Sequence, residues 1–469
     1  MTEKQMLETK SDQSNNPQSI RNRTRFNLLK PLLVAEIYFI FTLILYTFGP
    51  TTWINTNPYF LYTFLLLYQL FFSFGYLYEI NKARIPIGLD SKKENLITSN
   101  SIKIKRFIKF IIIFGIIMTS ISTITYTNIS IFSLSALIDQ TINGITNPLS
   151  AYKESFGGGS EGGIIFLIIV LTSPITWAAF PLSVVYFKRL NISYKVLVII
   201  MFSLEAMRWI IMGRNKGVFD LAIIIISIIL IRKMQNKHEN INNEVFKKRE
   251  TKGKKNILLI LILLTLCISY FTNAIGDRTN NHSYYSVNMD APLMKISPEF
   301  FHPTLIYLTS YLTQGYYAFS RIIEIQWTPM FGIGNSMFLM SNFSDLFNND
   351  MFQYTYQSKL ALKGINPMSA WHSYYTWIAN DVHWIGVLII MFLLGRFFAF
   401  VVKKCVVEKE IIAYPLLCLM FILIFYFPGN NQVFSQPVTF MAFWVLSLYW
   451  LMIKKRIVFT RSVWGMADK

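Results

Sequence analysis

The sequence predicts an all-α integral membrane protein: a polytopic bundle of about ten transmembrane helices with one large outer loop that contains helices of its own. Of the 469 residues, 53% are hydrophobic and only 15% are charged, whereas soluble proteins carry roughly 25% charged residues. Apolar runs of about 20 residues, long enough to cross a bilayer, recur along the whole chain. Hydrocarbon offers the backbone no hydrogen-bond partners, so these runs are predicted to be helices.

The apolar runs predict ten spanning segments, seven before the large loop and three after it. The first seven cover residues 31–48, 59–80, 107–126, 164–187, 196–212, 218–231 and 257–271. The last three cover residues 384–402, 411–427 and 438–453. The chain is thereby divided into a polar, disordered cytoplasmic tail (1–28), a first helical region (29–272), the outer loop (273–383), a second helical region (384–454) and a cytoplasmic C-terminal tail (455–469).

Positive charge orients the segments. Lys and Arg gather in alternate connections, such as 82–106, 188–189 and 232–255, while the connections 51–58 and 429–437 contain neither. Basic connections stay in the cytoplasm, so an even number of spans with both chain ends inside is predicted. The same rule accounts for the net charge of +19 without a nucleic-acid partner, because the charge is spread over short loops at one membrane face.

The outer loop is rich in aromatic residues and long enough to indicate a function. Its stretch 298–327 is apolar around most of its surface, which predicts a helix lying on or dipping into the membrane. Aromatic faces such as those of Tyr316 and Trp371 suit sugar rings, which stack their C–H faces on them. The alternative is an aromatic belt at the membrane interface.

Four of the five histidines lie in this loop: His282, His302, His372 and His383. None has the spacing of a metal-binding H-E-x-x-H motif, and a loop histidine is more often a surface or packing residue than a catalyst. His372 is the strongest candidate, because it sits in the cluster 371–376 shortly before Asp381.

Positively charged residues are rare in connections on the outer side of a membrane, so an arginine there indicates a specific role. There are three, Arg214, Arg278 and Arg321, and Lys216 joins the first of them in the short turn 213–217. Arginine binds phosphate bidentately, and the two glycines of that turn permit close backbone approach. A phosphate-bearing ligand at the outer leaflet is predicted. The alternative is arginines that reach toward lipid headgroups.

Two further charges, Glu205 and Arg208, lie three residues apart within the fifth segment, on one helix face. Charges inside a membrane are functional candidates by default, but a local structural pair is the equal alternative here.

Several chemistries are not indicated. The sequence contains no Walker loop, no G-x-S-x-G and no Rossmann signature, and no metal site or cofactor is predicted from its cysteines and histidines. The first outer connection, 51–58, carries no acidic residue. A membrane glycosyltransferase with this sequence is therefore expected to work without a divalent metal.

Together with the topology, three stretches resemble the Wzy family of bacterial O-antigen and capsule repeat-unit polymerases. They are Gly213-Arg214, one residue shorter than the family's Gly-x-Arg turn, the aromatic stretch 311–317, and the run 371–386, in which His383 stands where a glycine is common. The resemblance covers nearly the whole chain. It implies a helical bundle similar to that of C-type membrane glycosyltransferases, located in the inner membrane.

The resemblance also implies an activity. Family members act at the periplasmic face, where they transfer a glycan linked to undecaprenyl pyrophosphate onto a lipid-linked acceptor unit. The flippase Wzx and the chain-length regulator Wzz are the implied protein partners, beside membrane lipids.

For this activity the residues receive roles. Arginines neutralise the departing pyrophosphate, and a base accepts the acceptor's proton. The catalytic candidates are His372, Asp381 and Arg278. The candidates for binding pyrophosphate or glycan are Arg214, Lys216, Arg321, Tyr316, Trp371 and His282.

Two alternatives stay open. An O-antigen ligase uses the same donor, and its loss leaves no capped lipopolysaccharide, whereas loss of a polymerase leaves one repeat unit. A polysaccharide flippase or transporter is expected to line a central path with intramembrane charges, of which the spans carry few.

Overall fold

A computed structural model describes residues 17–53, 56–82, 94–157, 163–242, 253–279, 286–367 and 370–464. The described chain is almost entirely helical. The helices before the large loop are α1 (Pro17–Leu28), α2 (Lys30–Phe48), α3 (Pro58–Lys82), α4 (Glu94–Thr127), α5 (Leu134–Thr146), α6 (Pro148–Gly157), α7 (Ile164–Tyr186), α8 (Ile192–Ile211), α9 (Lys216–Asn242) and α10 (Gly253–Thr279). Those that follow are α11 (Pro292–Ile296), α12 (His302–Ser320), α13 (Met337–Phe347), α14 (Tyr356–Ala361), α15 (Tyr374–Lys403), α16 (Ala413–Tyr426) and α17 (Pro437–Trp464).

Each of the ten segments predicted from the apolar runs falls on one of these helices, which confirms that they are helical. Within the described residues, five helical stretches are long and apolar enough to cross a membrane: Arg21–Phe48, Pro58–Lys82, Lys103–Thr127, Ile164–Arg189 and Tyr374–Glu408. Three shorter apolar helices cover Leu261–Gly276, Ala413–Tyr426 and Pro437–Met452. The protein is therefore an all-α protein of the kind that resides in membranes.

The N-terminal region differs from its prediction. Disorder was predicted for residues 1–28, but α1 occupies Pro17–Leu28. Packing explains the helix: Leu28 is completely buried, and the Asn27 side chain donates a 2.8 Å hydrogen bond to the carbonyl of Met234 in α9. Tertiary contacts thus override the polar composition. Residues 1–16 lie outside the described structure.

Connections predicted to share a membrane side contact one another. At one end, β1 (Thr51–Thr52) pairs antiparallel with β2 (Ser286–Val287), and Ser336 Oγ donates a 2.6 Å bond to the carbonyl of Phe434. All these residues belong to predicted outer connections. At the other end, Gln235 Nε2 donates to the carbonyl of Cys405 at 2.7 Å, which joins two predicted cytoplasmic connections.

The helix α15 is kinked where the outer loop was predicted to meet the eighth segment. His383 has φ 62° and ψ 159° inside the helix, a backbone region that is essentially restricted to glycine and costs on the order of 1–3 kcal/mol for other residues. Its ring lies 5.1 Å from that of Trp327 and 4.7 Å from that of Trp384. These contacts hold a conformation for which glycine is the ordinary choice.

Within the outer loop, the helix predicted in the stretch 298–327 is present as α12, flanked by 3-10 turns at Glu299–Phe301 and Ile322–Glu324. Ten of its residues are buried, and its neighbours include α2, α3, α10 and α15. The loop is therefore packed into the bundle rather than resting loosely on it.

Candidate functional site

The turn between α8 and α9 is built by its glycines. Gly213 adopts φ +59°, and a Cβ there would lie 2.5 Å from the carbonyl oxygen of Pro148 in α6. A Cβ on Gly217 would overlap the indole ring of Trp209. Gly213 therefore allows close approach of the α6 backbone, and Gly217 leaves room for the Trp209 ring, with Arg214 and Lys216 between them.

The charges at this turn form two ion pairs, each within one helix. Arg208 pairs with Glu205 in α8, as their spacing predicted, and Lys216 pairs with Asp220 one turn further along α9. Trp209 donates from Nε1 to Glu205 Oε1 at 2.8 Å. The Arg208 guanidinium also lies 5.3 Å from the centre of the Tyr126 ring. All four ionised side chains are between 9% and 15% exposed, so charge is held here away from bulk water.

These residues line a cavity of about 740 Å³, within the size range of ligand sites in proteins. Its walls come from α4, α7, α8, α9, the outer-loop helix α13 and the start of α17. The lining combines the charged turn with hydroxyl and amide groups, among them Ser122, Thr176, Asn342 and Gln436. Apolar residues at the start of α7, such as Leu167, complete it. Arg214 and Lys216 are the predicted site residues that lie in this lining.

Arg321 has a different role from the predicted one. Its guanidinium donates to Glu324 Oε2 at 3.1 Å, and Lys363 donates to the same oxygen at 3.2 Å. Thr56 and Asn57 of the first outer connection donate to Glu324 Oε1. Burial alone would raise the pKa of Glu324, but the bonds from Arg321, Thr56 and Lys363 lower it to about 2. Arg321 therefore helps tie the large loop to the first connection rather than lining the cavity.

Tyr316 and Trp371, the predicted aromatic sugar platforms, pack within the protein. Tyr316 is completely buried, and its hydroxyl lies 2.9 Å from that of Thr42. Trp371 is half-buried, with its ring centre 4.5 Å from that of Tyr311. Neither lies among the residues that line the cavity. The predicted role of Tyr316 as a sugar platform does not fit this structure, because the residue is completely buried.

His372 is buried, 2% exposed. Burial lowers the pKa of its imidazole to about 4, so the ring is neutral at pH 7. The backbone next to it passes so close to Gly315 that a Cβ there would lie 2.5 Å from the Ser373 nitrogen. His372 is not among the cavity-lining residues. His372 is therefore closely packed within the protein and has little contact with solvent.

Asp381, the other predicted acid–base residue, organises a turn of the outer loop. Its Oδ1 accepts hydrogen bonds from the backbone nitrogens of Gly332 and Gly334, each at 2.8 Å. Its Oδ2 accepts from the Asn335 side chain at 2.7 Å. Three donors from one turn bind the carboxylate, and it does not line the cavity, so these contacts give Asp381 a structural role, while its catalytic role stays a prediction.

We expect Asp381→Ala to destabilise the protein by about 3 kcal/mol or more, since hydrogen bonds to a charged group each contribute about 1.5–3 kcal/mol. A lower melting temperature and faster protease cleavage near residues 332–335 are the measurements. Asp350→Ala is the matched control, because it removes one exposed bond to the Phe352 nitrogen. A variant with normal stability and lost activity would return Asp381 to the catalytic residues.

Two predicted residues cannot be placed in the site. Arg278 belongs to α10, but its side chain lies outside what the structure describes. His282 falls in the segment 280–285, which is likewise outside the described residues. Their proposed roles in catalysis and binding remain predictions.

The structure adds site residues that sequence reasoning did not select. Asp220 follows Lys216 by four residues, and this i, i+4 spacing of opposite charges was the available signal. The helix α13 brings Asn342 to the cavity, although Asn342 is more than a hundred residues away from Asp220 in sequence. No local pattern indicates that approach.

Comparison of the chain with protein-family models, curated proteins and solved structures finds no match.

Proposed function

We propose that this protein is a bacterial inner-membrane glycosyltransferase that crosses the membrane ten times and polymerises oligosaccharide repeat units carried on undecaprenyl pyrophosphate. It transfers the growing glycan to a lipid-linked acceptor unit at the periplasmic face and releases undecaprenyl pyrophosphate. The observation that carries the proposal is the cavity of about 740 Å³. Its lining combines the cationic turn 213–217 with the hydroxyl and amide groups named above and with apolar residues at the start of α7.

The cationic turn suits the leaving group. Arg214 and Lys216 line the cavity at the start of α9, and the first turn of a helix favours anions. Of the two, Arg214 carries the planar guanidinium that can bind two phosphate oxygens at once, which suits a departing pyrophosphate. A guanidinium fork placed where negative charge develops lowers the barrier to the reaction.

The other walls suit the remainder of the substrate. Hydroxyl and amide groups on α4, α7, α13 and the start of α17 offer hydrogen bonds to a glycan. At the beginning of α7, Leu167 and Ile168 are 55% and 45% exposed. An exposed apolar helix face beside a polar cavity is what a polyprenyl chain and its saccharide would need.

The contacts between connections support the proposed topology. Outer connections meet outer ones, and cytoplasmic connections meet cytoplasmic ones, through the contacts described above. Each of these contacts is consistent with ten spans and a large loop on the periplasmic side. The proposed partners are the lipid-linked donor and acceptor, membrane lipids, a Wzx-type flippase and a Wzz-type chain-length regulator. Cations of the chain supply the positive charge, so no divalent metal is required.

A carrier for lipid-linked saccharides is the second candidate. It is favoured by the two ion pairs in the cavity, Glu205–Arg208 and Lys216–Asp220, because transporters place intramembrane charges along a substrate path. The helix α13 of the packed outer loop lines the cavity, and this arrangement suits an enzyme better than a carrier. The two functions differ in their product: an enzyme lengthens the glycan, while a carrier leaves its length unchanged.

The test is reconstitution of the purified protein in liposomes with a synthetic undecaprenyl-pyrophosphate oligosaccharide. We expect longer lipid-linked glycans and one released undecaprenyl pyrophosphate for each unit added, in the presence of EDTA. Products are separated by electrophoresis and identified by mass spectrometry. Movement of unchanged substrate across the bilayer, without lengthening, would favour the carrier and contradict the polymerase.

A further inference from the structure

Glu205 is a carboxylate that two donors hold in place at the cavity wall. Its Oε1 accepts hydrogen bonds from the Arg208 guanidinium and from the Trp209 indole. Both of these hydrogen bonds are to Oε1, and the Glu205 side chain is 15% exposed. Because Glu205 lines the cavity, one oxygen is anchored while the other is available to a ligand there.

The cavity contains other polar groups whose bonding is incomplete. Asp220 is 7% exposed and lines the cavity, and its Oδ1 has no hydrogen-bond partner within the described part of the chain. The same holds for the hydroxyl of Ser435, which also lines the cavity. Buried polar atoms in folded proteins are nearly always hydrogen-bonded to protein or to water, so these atoms are sites at which water or a polar ligand would bind in the cavity.

The other acidic and basic candidates are less suitable for proton transfer. His372 and Asp381 do not line the cavity. Asp220 also lines the cavity with one oxygen bound, but a single donor, Lys216, holds it, and its side chain is 10% exposed against 15% for Glu205. Asp345 lines the cavity as well, but it is an exposed residue of α13 in contact with bulk water. Glu205 combines an oxygen held by two donors with a position in the cavity wall, and its side chain is more exposed than that of Asp220.

We infer that Glu205 is the catalytic base of the transfer reaction, an inference that rests on the proposed function. The acceptor hydroxyl oxygen forms a bond with the anomeric carbon of the donor glycan, and the bond from that carbon to the pyrophosphate oxygen breaks. The bonding electron pair leaves with the pyrophosphate. The hydroxyl proton passes to Glu205 Oε2 and is later released to water, so charge and atoms balance.

The anchoring donors give the base its direction. Arg208 and Trp209 follow Glu205 on the same face of α8 and both bind Oε1. Rotation of the carboxylate is thereby restricted, and Oε2 keeps one orientation. Arg208 acts as a positioning residue, whereas Arg214 serves the leaving group.

The experiment compares variants in the liposome reaction described above. Glu205→Gln retains an oxygen for both donors and removes the base, so we expect the turnover number to fall roughly 10²–10⁴-fold with little change in the Michaelis constant. Glu205→Asp keeps a carboxylate that is one methylene shorter and is expected to recover part of the rate. Asp139→Asn, an exposed carboxylate on α5, is the control and keeps full activity.

A double variant separates catalysis from charge balance. If Glu205 only neutralises Arg208, then Glu205→Gln with Arg208→Gln restores a neutral pair and recovers the wild-type rate, which overturns the inference. We expect the double variant to remain as slow as Glu205→Gln. A Glu205→Gln rate within threefold of wild type also overturns it. Inactive wild-type protein would instead contradict the proposed function, so the two failures are distinguishable.

Discussion

Arg214→Ala is expected to abolish long glycans and to leave single repeat units on the lipid carrier. In the proposed reaction, this guanidinium neutralises the pyrophosphate as its bond to the sugar breaks. Removal of one preorganised donor from such a site costs about 10²–10³-fold in turnover. The backbone at Arg214 is fixed by a 2.9 Å bond from its nitrogen to the carbonyl of Trp209, so the turn should persist in the variant. The reaction in liposomes, followed by electrophoresis of the products, measures the effect.

Charge alone should not replace this side chain. Arg214→Lys is expected to recover little activity, because an ammonium lacks the planar fork that binds two phosphate oxygens at once. Lys295→Ala is the matched control, since it removes an outer-loop cation that is 63% exposed and 3.6 Å from Asp290. Long glycans from Arg214→Ala would remove Arg214 from the site. Equal losses in Arg214→Ala and Lys295→Ala would indicate a general effect of outer charge.

The helices could be predicted because membrane insertion depends on hydrophobicity, a property that each segment carries by itself. Local geometry was accessible for the same reason. The glycines at 213 and 217 indicated the tight turn, and the spacing of Glu205 and Arg208 indicated their pairing. Residues 17–28 were mispredicted because their helix depends on contacts with α9, which lies far away in sequence.

The predicted site was only partly correct for a related reason. Composition does not distinguish an aromatic residue that binds sugar from one that packs in a core, so Tyr316 was assigned to the wrong group. Asp381 binds a turn more than forty residues earlier, and no local pattern indicates that partnership. Arg214 and Lys216, which line the cavity, were selected because a cation on the predicted outer side opposes the charge bias.

Gly395→Val is expected to prevent the protein from folding into a stable bundle. The helices α3 and α15 cross at their glycines: a Cβ on Gly395 would overlap the carbonyl oxygen of Phe72, and a Cβ on Gly75 would overlap that of Phe392. Helix association in membranes depends on such close packing of small residues. A valine would force the two backbones apart along an interface that also contains the 2.6 Å bond from Tyr68 to the Trp384 carbonyl.

The measurement is the yield of monodisperse protein in detergent and its melting temperature. Overpacking of a core costs about 1–3 kcal/mol or more, and we expect the upper end, because each overlap is with a backbone atom that cannot rotate away. Leu393→Ala is the control on the same helix, as its side chain is 49% exposed and faces away from α3. Gly395→Val protein that melts with the wild type would contradict the close crossing. Asp381, in α15, binds the turn 332–335, and this turn leads into α13, which lines the cavity. Displacement of α15 is therefore expected to disturb the cavity as well as the helix crossing.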